Sequence, residues 1–325
     1  MTERLVDRSL RIKVTNDCQW SCTFCHNEGT EIPRNQLKRA SIFLDNKAIV
    51  LPSVENMPIT AGTIARIATL REMGVDEVHL TGGEPTLHRR LPDFVRGLAD
   101  YGFKVKMTTN GQARPGTIKQ LAEAGLSSVT FSIISFDPEE FIASQRIKSI
   151  PWAATMIARE KANIILTKEL GIDVKINIVV SGTHDYPRVD SIREFAQANG
   201  IKLVLLNCLG GGDKAQQAVF DYAERHGDFA GTTEFTNNGK GSAHFILPDG
   251  TRIDAKYLRP YHPDVVCGSC EHNGKDTCVE KFYGLRMEFR GGNLYIRLCV
   301  QKTNVDTVMP LSDFINKDII RQLAE

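Results

Sequence analysis

The chain has 325 residues, 42% of them apolar, which suits one large domain with an appendage. Forty Lys and Arg nearly balance 39 Asp and Glu, and the formal charge of +1 supplies no excess to drive nonspecific binding to nucleic acid or to a membrane surface. No apolar run reaches the roughly 18 residues that span a bilayer, and the opening MTERLVDRSLRIK lacks an apolar signal core, so the sequence predicts a cytoplasmic protein.

In chain order, the first β-like run is RIKVT at 11–15. A long connection at 30–59 follows, and a connection of that length is often functional, here as a cover for a substrate. Helical patterns near 60–73, 91–101, 114–124, 153–170 and 188–199 then alternate with strands at 77–81, 104–109, 128–133, 174–180 and 202–207. The strands are rich in Val, Ile, Leu, Thr and Phe, as buried strands should be. Thr60 and Pro115 suit helix starts, and Gly74, Gly102, Gly125, Gly171 and Gly200 suit helix exits. This α/β alternation predicts a parallel sheet with right-handed crossovers. At least five successive strand ends carry polar or metal-binding residues, which fits the ring of a partial (β/α)6 TIM-like barrel better than the single crevice of an open sheet. The barrel is expected to occupy 1–208.

Residues 209–325 change pattern and predict a C-terminal α+β unit. A helix at 213–226 leads to two hairpins that turn at Pro248–Gly250 and Gly291–Asn293. The tail LSDFINKDIIRQL reads as one amphipathic helix with Phe314, Ile315, Ile319 and Leu323 on a face.

The eight cysteines are grouped: Cys18, Cys22 and Cys25; then Cys267, Cys270, Cys278 and Cys299; with Cys208 apart. Grouped cysteines in a reducing compartment more often bind metal than form disulfides. The first group, C-x3-C-x2-C, sets three thiolates on one loop directly after a strand. Three thiolates can hold three irons of a cubane and leave the fourth open. Zinc is the alternative, with His26 as a fourth ligand. Gly82, Gly83, Glu84 and Pro85 end the second strand of the alternation. The glycines allow close backbone approach, and the carboxylate can accept from an ammonium; a tight turn is the plain structural reading. Thr109 and Asn110, in MTTNG, end the next strand and would serve equally as a turn cap.

The C-x3-C-x2-C loop, with Phe24 before its last cysteine, resembles the radical S-adenosylmethionine (SAM) superfamily. That resemblance implies a [4Fe–4S] cluster on Cys18, Cys22 and Cys25, an open iron that chelates SAM, and reductive cleavage to a 5′-deoxyadenosyl radical that takes hydrogen from substrate. An external electron donor such as flavodoxin or ferredoxin is implied with it. The resemblance assigns Phe24, Gly82, Gly83, Glu84 and Pro85, Thr109, Asn110 and the strand residue Ser132 to SAM.

Within the superfamily the chain is similar to the molybdenum-cofactor GTP cyclases, through HNEG after the cysteines, LTGGEPTL, TTNG, VKINIVV and a C-terminal cysteine group. It departs from them where Cys267-Gly-Ser-Cys270 lacks the following arginines, where Arg286, Arg290 and Arg297 come later, and in ending QLAE instead of Gly-Gly. The second cysteine group reads as a second [4Fe–4S] cluster, as in relatives with an auxiliary cluster, or as a four-thiolate zinc site.

Lys175 and Asn177, two apart on a strand, share a face. With Arg146, which resembles a substrate-side arginine of the cyclases, they suit a polar small molecule. Cys208 ends the sixth strand; it would donate hydrogen to a substrate radical in an epimerase, or it is a small buried hydrophobe. The leading expectation is an enzyme acting on a nucleotide, nucleoside or sugar-like metabolite in cofactor or natural-product biosynthesis. Peptide modification is the second reading, weakened by the lack of a preceding leader-binding domain. A metal-stapled binding protein is the non-enzymatic one.

Overall fold

The computed structural model describes residues 1–22, 25, 52–145, 149–209, 211–302 and 306–324. Phe24, His26, Arg146 and most of the 30–59 connection lie outside them. The chain opens with β1 (Thr2–Leu5) and β2 (Ser9–Thr15); a two-residue strand, β3 (Val54–Glu55), precedes the alternation. Then come α1 (Ala61–Glu72), β4 (Glu77–Gly82), α2 (Leu91–Asp100), β5 (Lys104–Thr109), α3 (Pro115–Glu123) and β6 (Leu126–Ser132). After α4 (Pro138–Ala143) and α5 (Ile150–Glu169) follow β7 (Asp173–Val180), α6 (Tyr186–Ala198), β8 (Lys202–Asn207) and α7 (Gly212–His226). The last third holds β9 (Asp228–Phe235), β10 (Lys240–Ile246), β11 (Arg252–Leu258), α8 (Asp264–Cys267), β12 (Leu285–Arg290), β13 (Asn293–Arg297), β14 (Val308–Pro310), α9 (Leu311–Asn316) and α10 (Ile319–Ala324).

Local chemistry explains the boundaries. Thr60 and Ser149 accept from the backbone N–H of Thr63 and Trp152 and cap α1 and α5, while Asp137 caps α4 ahead of Pro138. Strand β7 alternates: Val174, Ile176, Ile178 and Val180 are buried, and Lys175, Asn177 and Val179 take the other face. Leu91, Phe94, Val95 and Leu98 of α2 are fully buried, each contributing about 1.5–3 kcal/mol.

The six strands of the alternation pair in parallel in the order β8-β7-β6-β5-β4-β2, with helices on one face, as a partial TIM-like barrel requires. The sheet does not stop at residue 208. Strand β11 adds in parallel to β8, and β12 adds in parallel to β2. Residues after 208 therefore extend both edges of the parallel core.

Asp7, between β1 and β2, ties the β1–β9–β10 end of the sheet back to β2. Its carboxylate accepts from Asn238 Nδ2 at 2.6 Å and Lys240 Nζ at 2.5 Å, and its N–H donates to Asn237 Oδ1 at 2.8 Å. The tail differs from the single expected helix: it breaks between α9 and α10 at Lys317–Asp318, where Asp318 is left-handed at φ 49°. The break brings Phe314, Ile319 and Leu323 together in the core. No helix among the described residues is long and apolar enough to cross a membrane.

Candidate active site and thiol-lined pocket

The first cysteine group lies at the carboxyl end of β2, and the turn after β4 grips the same loop. Gly83 N–H donates to Thr15 O at 2.8 Å, and Glu84 N–H donates to Asp17 O at 2.7 Å. A Cβ on Gly82 or Gly83 would run into the Thr15 or Asp17 carbonyl oxygens, so only glycine fits this close approach. Pro85 begins a short 3₁₀ turn capped by Glu84.

Glu84 is 1% exposed. Its Oε1 accepts from Thr86 N (3.0 Å), Thr86 Oγ1 (2.6 Å) and Thr109 Oγ1 (2.8 Å), and its Oε2 accepts from Asn110 N at 2.7 Å. Burial raises its carboxyl above the usual range against the pull of those bonds, led by the one from Asn110. Glu84 thus ties the β4 turn to the β5 turn. Asn110 carries the chain of contacts on to the cysteines: its Nδ2 is 3.9 Å from Cys18 Sγ, and its Oδ1 accepts from Gln19 Nε2 at 3.2 Å.

Backbone and amide N–H groups point at the sulfurs. Trp20 N lies 3.4 Å from Cys18 Sγ, and Gln145 Nε2 lies 3.3 Å from Cys22 Sγ while its Oε1 accepts from Ser21 N at 2.8 Å. Burial pushes the Cys18 thiol up to about 12, and the neighbouring Glu84, Cys22 and Cys25 charges add to it. Ionising this buried thiol beside two neighbouring cysteines calls for a compensating cation. Three thiolates with donors turned toward them fit a [4Fe–4S] cluster that leaves one iron open.

The second group lines a pocket with His262, Val266, Glu280 and Phe282: Cys267, Cys270, Cys278 and Cys299 all face it. Burial pushes Cys267 up to about 12, followed by repulsion from Cys299, Cys278 and Cys270; Cys299 stands at about 12 through burial and then Glu280. Lys281 N lies 3.4 Å from Cys278 Sγ, and Lys302 N lies 3.3 Å from Cys299 Sγ. Lys281 and Phe282 are left-handed at φ 46° and 42°, and Gly239 N–H donates to Phe282 O at 3.0 Å. Among the described residues no three His, Cys, Asp or Glu side chains converge on a single-ion position.

Ser132 ends β6 opposite Asn177 on β7. The face of the sheet turned from the helices carries Arg11, His79, Lys106, Lys175, Lys202, Lys256 and Arg286 by strand register. Lys175 meets Asp173 at 3.4 Å, Lys202 meets Asp254 at 3.2 Å, Arg286 meets Glu280 at 2.7 Å, and Lys106 pairs with Glu77. Burial and then Lys202 lower Lys175 from its ordinary range; burial lowers Lys256 to about 8, with Lys202, Lys240 and Lys175 adding to the effect against Asp254. Cys208 follows β8, and its N–H extends the ladder to Val180 O at 2.9 Å. Strand alternation assigns it to the face of Lys202, Val204 and Leu206. Its half-buried thiol is raised by burial and by Asp185.

Sequence reasoning missed Gln19, Thr86 and Gln145. Gln19 had a signal in its place inside the cysteine loop. Gln145 reaches Cys22 from 123 residues away, a distance no local pattern spans.

Residues 12–196 match the model of the Radical SAM superfamily. A probable GTP 3′,8-cyclase of Thermococcus kodakarensis is 28% identical over 272 residues, covering 81% of this chain and 79% of that protein. The GTP 3′,8-cyclase of Marinobacter nauticus is 25% identical over 287 residues, covering 82% and 77%. The crystal structure of Streptococcus suis SuiB shares the fold with a TM-score of 0.50 at 19% identity, over 70% of this chain and 50% of SuiB, so the chain spans half of that structure. With more than half its length matched and its thiol loop braced by the strand-end turns, the chain is an enzyme of the radical SAM superfamily, whose members work with a [4Fe–4S] cluster and SAM.

Proposed function

We propose that this enzyme takes hydrogen from a small anionic metabolite, a nucleotide or a phosphorylated sugar-like compound, bound on the cation-lined face of the barrel. The observation that carries this reading is the run of Arg11, His79, Lys106, Lys175, Lys202, Lys256 and Arg286 across neighbouring strands on one face. Desolvated lysines beside one another are held at a cost that an anion would relieve. Cys18, Cys22 and Cys25 would hold the cluster, and Asn110, Ser132 and the Gly82–Pro85 turn would hold SAM. When bound, the cluster and SAM supply the radical that abstracts hydrogen. This chain's residues orient the substrate, exclude water and hold the sulfurs through N–H bonds. Electrons would come from a flavodoxin or ferredoxin in a reducing, cytoplasmic setting.

Residues 209–325 would form the unit that carries a second [4Fe–4S] cluster on Cys267, Cys270, Cys278 and Cys299. Four thiols lining one pocket suit a cubane, with a four-thiolate zinc site as the alternative. Relatives named GTP 3′,8-cyclase make GTP the first ligand to try. The missing arginines after Cys270 leave epimerisation, cyclisation, decarboxylation and dehydrogenation as outcomes, with Cys208 as hydrogen donor in the first. The test is calorimetric titration of the reconstituted enzyme with GTP, a sugar phosphate and guanosine. A phosphorylated ligand should bind at least about tenfold more tightly than guanosine, roughly 1.4 kcal/mol, and Lys175→Ala with Lys202→Ala should erase the difference. Equal binding of all three ligands overturns the anionic reading.

A further inference from the structure

Helix α5 turns a buried polar stripe toward the loop after β5. Glu160, Asn163 and Thr167 are all 2% exposed or less. Two of them are satisfied. Asn163 Nδ2 donates to Gly111 O and Ala113 O, both at 2.8 Å, and Thr167 Oγ1 donates to Asn163 O at 2.7 Å. Glu160 is the exception: both of its carboxyl oxygens are sealed from solvent without a hydrogen-bond donor among the described residues.

The neighbouring residues define what surrounds it. Gly111 packs directly on Glu160, so a Cβ there would lie 2.9 Å from Glu160 Cγ and 3.5 Å from its Cα. Gln112 Nε2 donates to Met156 O at 3.0 Å, and Gln112 Oε1 is buried and also without a donor among the described residues. Met156 lies one helical turn before Glu160. Long helical side chains lean back toward the N-terminus of their helix, which directs the Glu160 carboxyl toward the Gln112 carboxamide. The cation that acts on it among the described residues does not bond it: Lys161 Nζ sits over the Phe136 ring at 4.2 Å and the Phe195 ring at 5.7 Å.

An ionised Glu160 would be a buried charge facing another acceptor, an arrangement with a large desolvation cost. One proton resolves both deficits. Burial pushes the Glu160 carboxyl well above its ordinary range, opposed only by Lys161.

We propose that Glu160 is a positioning residue that holds a proton and donates it in a hydrogen bond to Gln112 Oε1, fixing the Asn110–Gln112 turn beneath the SAM site. Gln112 in turn sets Asn110, because Asn110 Oδ1 accepts from Gln112 N at 3.1 Å and from Gln19 in the cysteine loop. The effect on SAM rests on the reading of Asn110 as a SAM-facing residue; the Glu160–Gln112 link does not.

The test uses the reconstituted enzyme and Glu160→Gln, Glu160→Leu, Gln112→Leu and the double leucine variant. Glu160→Gln keeps a donor and should hold SAM within about twofold of wild type. Glu160→Leu strands Gln112 Oε1 and should weaken SAM about tenfold or more. Unfolding midpoints measured without SAM should be strongly non-additive, the double variant lying nearer to wild type than the sum of the singles predicts. The infrared band of a protonated carboxylic acid should be present in wild type at pH 7 and lost in Glu160→Gln. Additive midpoints, or no band lost, overturn the link. A coupled pair with unchanged SAM affinity in Glu160→Leu overturns the positioning role, and failure of wild type to bind SAM overturns the site reading instead.

Discussion

The two cysteine groups are held by different means. Around Cys18 and Cys22, backbone bonds from Gly83, Glu84 and Trp20 are joined by side chains that reach across strand ends: Glu84 to Thr109 and the Asn110 N–H, Gln19 to Asn110, Gln145 to Cys22. Around Cys278 and Cys299 the bracing comes from backbone N–H groups of tight turns, with Lys281 and Phe282 left-handed and locked to Gly239. The first site therefore adds a few replaceable long-range side chains to its backbone contacts, and a set of three thiols suits a position left open for chemistry. The second leans more on backbone shape, and a set of four thiols suits a closed site. One arrangement suits a site that reacts, the other a site that is kept whole.

The largest expected effect comes from breaking the first arrangement at its hub. Glu84→Ala strands donors from Thr86, Thr109 and Asn110. It should cost about 3 kcal/mol of stability and reduce 5′-deoxyadenosine formation far more than it reduces iron at the second group. Equal loss of iron from both groups would contradict their independence.

A smaller effect concerns the cationic face. Lys256 is lowered to about 8, below its unfolded range, so the unfolded chain binds the proton more tightly. Stability of the ligand-free enzyme should rise as pH climbs through about 8 toward about 10.4. Lys256→Met should abolish that rise and stabilise the protein at pH 7. Affinity for a phosphorylated ligand should fall as pH passes about 8 in wild type and stay flat in the variant. Thermal scans and titrations across pH 7–10 read both.

The smallest effect on the protein, and the most specific on its chemistry, is expected at Cys208, which belongs to neither group. Cys208→Ala should keep its iron and still cleave SAM. If the reaction is an epimerisation, the variant should lose the inverted product and the single deuterium that wild type incorporates from heavy water. Normal turnover in the variant, or product without solvent hydrogen, excludes the donor role.

Much of this was legible in the sequence. The strands at 104–109 and 202–207 stand where alternation and β-branched content put them, because a buried strand imposes a period that the residues must follow. The cysteine spacing and the glycines after β4 marked the active end. The reason for Gly82 and Gly83 was less visible: they let backbone meet backbone at Thr15 and Asp17. Long-range pairing was not legible. Strand β12 joins β2 across more than 270 residues, a pairing that its reading as a hairpin does not announce, and charged residues ordinarily face solvent. Arg290, Arg297 and Glu288 are instead buried together, with Arg290 Nε 2.6 Å from Glu288 Oε1. The break at Asp318 was hidden as well, since it rests on where Phe314 and Ile319 must pack.

The most direct test of two separately held sites is iron and sulfide per chain, with SAM cleavage, in three anaerobically reconstituted proteins. Wild type should hold about eight irons. Replacing Cys18, Cys22 and Cys25 with Ala should leave about four and abolish 5′-deoxyadenosine. Replacing Cys267, Cys270, Cys278 and Cys299 should also leave about four but spare SAM cleavage. Zinc at the C-terminal group, with no iron–sulfur absorbance left in the triple variant, would contradict the account.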